Sequence, residues 1–144
     1  MTQDSTQPKV GLGDADYSAL AHFRRSIREF LSFSEEAAKK HGLTPQQHQA
    51  ILAIRGATAE KRLSVGDLAA HLTIQHHSAV ELVNRLVSAG LVERITANED
   101  RRRVLVCLTS KAVALLEDLS WVHVSELRRR GPELAEVLKK LSGG

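Results

Sequence analysis

The sequence predicts a mainly α fold with a small β-hairpin wing, and three observations carry that prediction. Apolar residues recur at helical spacing towards both ends of the 144-residue chain. Two short helical segments joined by a tight turn stand near its middle. Two β-branched-rich segments around a charged tip follow them directly.

From about Tyr17 to Lys40, Leu20, Phe23, Ile27, Phe30, Leu31 and Ala37 define the apolar stripe of a long amphipathic helix that His41 and Gly42 stop. Thr44, Pro45 and Gln47 have the pattern of an N-cap, a first helical residue and a capping box, which opens a second helix running towards Gly56. After a polar connector, Leu63-Ser64-Val65 is expected as a short strand leading into a helix over Gly66 to Leu72, with Ser64 as cap and Asp67 in the first turn. Thr73 and Ile74 form the turn. The next helix, from about Gln75 to Ala89, places Val80, Val83, Leu86 and Val87 on one face and ends at Gly90. Leu91 to Thr96 and Arg103 to Leu108 then form a hairpin whose tip is Ala97 to Arg102. Thr109 and Ser110 cap a last long helix, which Gly131-Pro132 is expected to break before a short terminal helix carrying Leu134, Val137, Leu138 and Leu141.

Length and composition fit one globular unit, with 42% hydrophobic and 26% charged residues. A net charge of +3 and a pI near 9.3 permit a nucleic-acid partner without requiring one. The lone Cys107 precludes an intramolecular disulfide and suits a reducing compartment. Neither a signal sequence at Met1 to Gly13 nor an apolar run approaching the ~18 residues of a membrane span is present, so a cytoplasmic protein is expected.

Helix, tight turn, second helix and charged hairpin, in that order, make a winged helix-turn-helix, whose second helix is sized for the DNA major groove. Its outward residues agree. Gln75, His76, His77 and Ser78 begin that helix, with Asn84 and Arg85 further along, all able to hydrogen-bond base edges or phosphates. In the wing, Arg101, Arg102 and Arg103 are placed to reach phosphates or an adjacent minor groove. Asp100 would be repelled by phosphate, so its expected role is to pair with Arg102 and preset the guanidinium fork.

The chain resembles the MarR family of transcriptional regulators from Tyr17 to about Leu141, most specifically in Leu68-Ala69, Val83-Asn84-Arg85-Leu86, Gly90-Leu91-Val92 and Asp100-Arg101-Arg102-Arg103-Val104 through Leu108-Thr109. The resemblance implies a homodimer on a pseudo-palindromic double-stranded operator, most commonly as a repressor. It divides the chain into a DNA-binding lobe, about 44–109, and dimerisation helices, about 17–40 and 110–142. Phe23, Phe30, Phe33 and Trp121 fall on those outer helices, whereas 44–109 has no aromatic residue, which disfavours single-stranded nucleic acid held by stacking. Two positions depart from the family pattern. Asn84 replaces the Asp that many relatives carry, and Ala112 stands where glycine is frequent.

The resemblance also implies a small aromatic or anionic effector between the outer helices and the lobe. His22, Arg25 and His48 are the candidate lining residues, with Arg24, Arg28 and His41 near them, although solvated helix faces explain the same residues without a ligand. Cys107 alternates with Val106 and Leu108 and reads as a packing thiol rather than a redox sensor. His71, His76 and His77 are close in sequence, but adjacent histidines diverge on a helix and no cysteine or carboxylate joins them at ligand spacing, so no metal or cofactor is expected. No phosphate loop, nucleophile elbow or zinc-hydrolase histidine pair suggests an enzyme. The alternative is a winged-helix protein-interaction module, which should expose an apolar patch where this chain has polar residues.

Overall fold

In the computed structural model, which describes residues 11–96 and 103–143, the helix boundaries follow local capping chemistry. Helix α1 (Asp14–Lys40) begins three residues before Tyr17, because the Gly13 N–H donates to Asp16 Oδ2 at 2.9 Å and two acidic residues occupy the first turn, where the helix dipole favours them. The capping box predicted for α2 (Pro45–Gly56) forms. Thr44 Oγ1 accepts from the Gln47 N–H at 3.1 Å, and Gln47 Oε1 accepts from the Thr44 N–H at 3.0 Å.

A single 3-10 turn, Ala59–Lys61, precedes α3 (Val65–Leu72). The strand expected at Leu63 to Val65 shrinks to one bridge between Ser64 and Leu105, with the Val106 N–H donating to the Leu63 carbonyl at 2.9 Å. Reciprocal bonds between Ser64 and Asp67 draw Val65 into the helix instead. Thr73 ends α3 at φ 56°, a left-handed conformation uncommon for a β-branched residue, and the Ile74 N–H closes the turn onto the Ala69 carbonyl at 3.0 Å.

Gln75 is the N-cap of α4 (His76–Ser88), and Gly90 at φ 74° redirects the chain into β1 (Val92–Thr96). Strand β1 pairs antiparallel with β2 (Val104–Leu108), from Val92 opposite Leu108 to Thr96 opposite Val104.

The last helix, α5 (Ser110–Leu141), corrects the expectation of a break at Gly131-Pro132. Proline removes one backbone donor and crowds the carbonyl four residues earlier, yet packing on both sides holds the axis. Arg130 bonds Glu126 and Glu29, Glu133 pairs with His22 at 2.8 Å, and Val137 is buried. Those contacts, with Ser34 to His123 at 2.7 Å, run α1 and α5 antiparallel.

One apolar core joins the end of α1 to α2, α3, α4, the hairpin and the first third of α5, through residues such as Ala38, Ile51, Leu68, Val83, Leu86, Val92, Val106 and Leu119. Beyond it, Tyr17, Leu20, Ile27 and Leu31 on α1, and Trp121, Val124, Leu127 and Leu138 on α5, leave large apolar side chains exposed.

Among the described residues His48 is the one buried polar side chain. Its ring lies 4.8 Å, centroid to centroid, from that of His123. A carbonyl only accepts, so His123 Nδ1–H donates to Leu119 (2.7 Å), and in the neutral ring Nε2 accepts from the Ser34 hydroxyl (2.7 Å). Burial, and then the neighbouring His123 and His41, hold His48 below the ordinary histidine pKa of 6.5. The unfolded chain therefore takes up this proton first as pH falls. The contribution of His48 is complete above about pH 6.5, declines below it, and levels off under the depressed folded value. Urea midpoints measured from about pH 8 to 5 should fall for the native chain and fall less for His48→Leu; equal slopes would remove His48 as the cause.

Candidate nucleic-acid interface

The short helix pair is built so that α4 has one sealed face and one open face. Ala79, Leu82, Val83 and Leu86 are buried against the core, while His76, His77, Glu81, Asn84 and Arg85 are exposed and Ser78 is half-buried. Gln75 is exposed and its side chain makes no capping bond, leaving the first-turn N–H groups and positive dipole end of α4 unclaimed by it.

Not every predicted contact residue lies free on that face. The Asn84 side-chain oxygen accepts from Arg94 Nη2 of β1, which turns Asn84 towards the wing. Arg103 is tied to α3, its Nη2 lying 3.3 Å from Asp67 Oδ2. The Ser64 backbone, the Ser64 hydroxyl and then Arg103 hold the Asp67 carboxyl below its usual range. Asp67 thereby caps α3 and ties the helix pair to the wing. Asp100, Arg101 and Arg102, with the expected Asp100–Arg102 pairing, lie outside the described residues.

Glu81 and Arg94 of this surface were missed from sequence, and Asp67 was read only as an acidic residue in the first turn of α3. Glu81 stands between His77 and Arg85 at four-residue spacing, a signal the helical periodicity contained. Arg94 and Asp67 act through contacts across distant elements, which spacing along the chain does not encode.

The candidate effector residues divide. His22 and Arg25 line a cavity of about 570 Å³ between α1 and α5, with Phe30 and Arg130. Both are already engaged, His22 with Glu133 at 2.8 Å and Arg25 with Glu29 at 2.9 Å. Arg130 and then Arg25 lower the Glu29 pKa. His48 is not on this cavity; it is packed against His123 where α2 meets α5. Cys107 is half-buried on β2 opposite Glu93. Among the described residues no group of three His, Cys, Asp or Glu side chains is arranged to hold a metal ion, and no helix is long and apolar enough to cross a membrane.

A helix pair joined by a tight turn, with a polar outer face on its second helix and a two-stranded wing pinned beside it, defines a winged helix-turn-helix protein. Residues 41–103 match the model of the MarR family. The transcriptional activatory protein BadR of Rhodopseudomonas palustris is 32% identical over 84 residues, 58% of this chain and 48% of that relative, so the match spans about half the relative's length. The fold is shared with AbsC of Streptomyces coelicolor, a MarR family transcriptional regulator (TM-score 0.73, 22% identity, 94% of this chain and 92% of that one). It is shared also with MarR of E. coli (0.66, 22%, 93% and 98%) and with S. aureus MepR in a complex with DNA (0.63, 20%, 85% and 98%). Over residues 41–103, the helix-turn-helix and the wing, the chain is similar to the MarR family, and its fold is that of the solved structures named above.

Proposed function

We propose that the protein is a sequence-specific regulator of transcription that binds a pseudo-palindromic double-stranded operator as a homodimer. The observation that carries this reading is the exposed first turn of α4, with Gln75, His76 and His77 beside a wing anchored by Arg103 and Arg94. A protein-interaction module should be apolar on this surface, but the exposed apolar side chains concentrate on α1 and α5, which favours DNA on the lobe and a second copy on the outer helices. Two recognition helices on one duplex then call for half-sites one helical turn apart, ~34–36 Å.

Repression follows most simply from a dimer that covers promoter DNA. Activation is the second reading, because the relative from Rhodopseudomonas palustris is named an activator. A promoter fusion with and without the protein separates the two. Release by a small aromatic or anionic effector belongs to the same proposal, with the His22 and Arg25 cavity as its place, and an anion there would displace Glu133 and Glu29 from their cations. Weaker binding of monocyclic aromatic carboxylates by Arg25→Ala is the expected sign; unchanged binding would exclude Arg25.

The decisive experiment is a salt-series mobility shift on duplex DNA from upstream of the protein's own gene, with random duplex as competitor. Competitor-resistant binding whose affinity falls with a slope of about −0.9 per phosphate contact is expected. Gln75→Ala and His76→Ala should change the preferred bases, with a discrimination loss of about 1–3 kcal/mol for each bidentate contact removed. Absence of binding at low salt would favour the interaction-module reading.

A further inference from the structure

Between α4 and the wing lies a cleft of about 560 Å³ whose walls come from separate elements. His76 of α4, Arg94 of β1 and Arg103, the residue before β2, face it, and Ser64, the N-cap of α3, and Gly66 in its first turn form its floor. No carboxylate is among its described lining residues. The His76 ring sits over the first turn of α3, with Nδ1 3.9 Å from where a Cβ on Gly66 would stand. The N–H groups of Val65 and Gly66 precede the first helical bond there, from the Leu68 N–H to the Ser64 carbonyl at 3.0 Å.

We infer that this cleft is a site for one backbone phosphate of duplex DNA, with Arg94 as the binding cation and Asn84 as the residue that positions it. The inference rests on the DNA-binding reading above and assigns a contact which that reading does not. A helix in the major groove and a wing in the neighbouring minor groove straddle the sugar-phosphate strand that separates those grooves, so that strand crosses the cleft.

The two arginines on the cleft are held differently. Arg103 is paired with the Asp67 carboxylate, which offsets its charge. Arg94 is held by the Asn84 carboxamide, a neutral acceptor that fixes the guanidinium and leaves its charge intact, and it has no carboxylate partner among the described residues. An aspartate at position 84 would hold Arg94 more strongly and cancel the charge available to phosphate. A purely structural link and a phosphate site therefore respond in opposite directions to Asn84→Asp.

A random-sequence duplex of about 30 base pairs is a sufficient probe, because a phosphate contact carries no base information. Fluorescence anisotropy over a salt series is measured for the full-length wild type, Asn84→Asp, Arg94→Ala and Arg94→Lys, alongside urea midpoints. Asn84→Asp and Arg94→Ala should each bind about tenfold more weakly, with the salt slope reduced by about 0.9 per engaged protomer, and Arg94→Lys should recover most of that slope. Asn84→Asp should unfold at the same or a higher urea concentration than the wild type. Wild-type affinity and slope in Asn84→Asp, or lost affinity at an unchanged slope in Arg94→Ala, would overturn the phosphate site while leaving the DNA-binding reading intact. Failure of the wild type to bind any duplex would overturn both.

Discussion

In the proposed homodimer, replacing Leu127 by glutamate is expected to yield a monomer of 15.8 kDa in place of a particle of twice that mass, and to weaken binding to a two-half-site operator by about 10²–10⁴-fold, the gain that linking two binding events supplies. Leu127 is 43% exposed on α5 and lines the same cavity as Ile27 of α1, which is 37% exposed. Both lie on the long helices that carry most of the other exposed apolar residues. A second copy laid along these helices would remove them from water. A carboxylate at 127 would have to be desolvated in that contact without a partner, which opposes association while leaving the core of the lobe untouched. Sedimentation equilibrium reads the mass, and the operator titration reads the linked loss. A dimeric Leu127→Glu protein would mean that the chains associate through another surface.

The helix-turn-helix and the hairpin were legible because their determinants are local. The Thr44–Gln47 and Ser64–Asp67 boxes lie within four residues, Gly90 supplies its own φ of 74°, and the alternation of the hairpin is a period of two. The unbroken α5 was not legible. Proline 132 is a local signal for a stop, and what overrides it is lateral, the Arg130 and Glu133 contacts to a helix about a hundred residues earlier in the chain.

The candidate interface divides along the same line. Exposed positions at the start of α4 follow from helical periodicity, so Gln75, His76 and His77 were found on the outer surface from the sequence alone. Asn84 and Arg103 were read as DNA-contact residues, and the fold adds that each also bonds a neighbour, Asn84 with Arg94 and Arg103 with Asp67, pairings of 10 and 36 residues' separation that no periodicity announces. His48 shows the limit most plainly. As a histidine in a polar-looking helix start it suggested an open pocket, but it is enclosed by His123, whose own position depends on Ser34, Phe30 and Phe33 of α1.

Leu86→Ala should cost about 2–5 kcal/mol, a large share of the roughly 5–15 kcal/mol that keeps a domain folded. Leu86 is 0% exposed on the inner face of α4, in the core that also holds Leu68, Val92 and Leu116. The helix cannot shift inward to fill the space. Ala79, Leu82 and Val83 seat its other turns, and the Leu91 N–H bonds the Leu86 carbonyl at 2.9 Å, so the chain leaving the helix is fixed at the same point. A residual cavity follows, and its volume sets where in the range the loss falls. Leu86→Met keeps the volume and should lose less than about 1.5 kcal/mol. Urea unfolding should show a lowered midpoint at constant slope for the alanine variant. Operator duplex at about 100 times its Kd should return about 2.7 kcal/mol to either protein, because DNA that binds only the folded lobe stabilises it by mass action. A loss under about 1 kcal/mol in Leu86→Ala would mean that α4 can relax into the core, and a helix that mobile could not hold Gln75 and His76 in register with base edges.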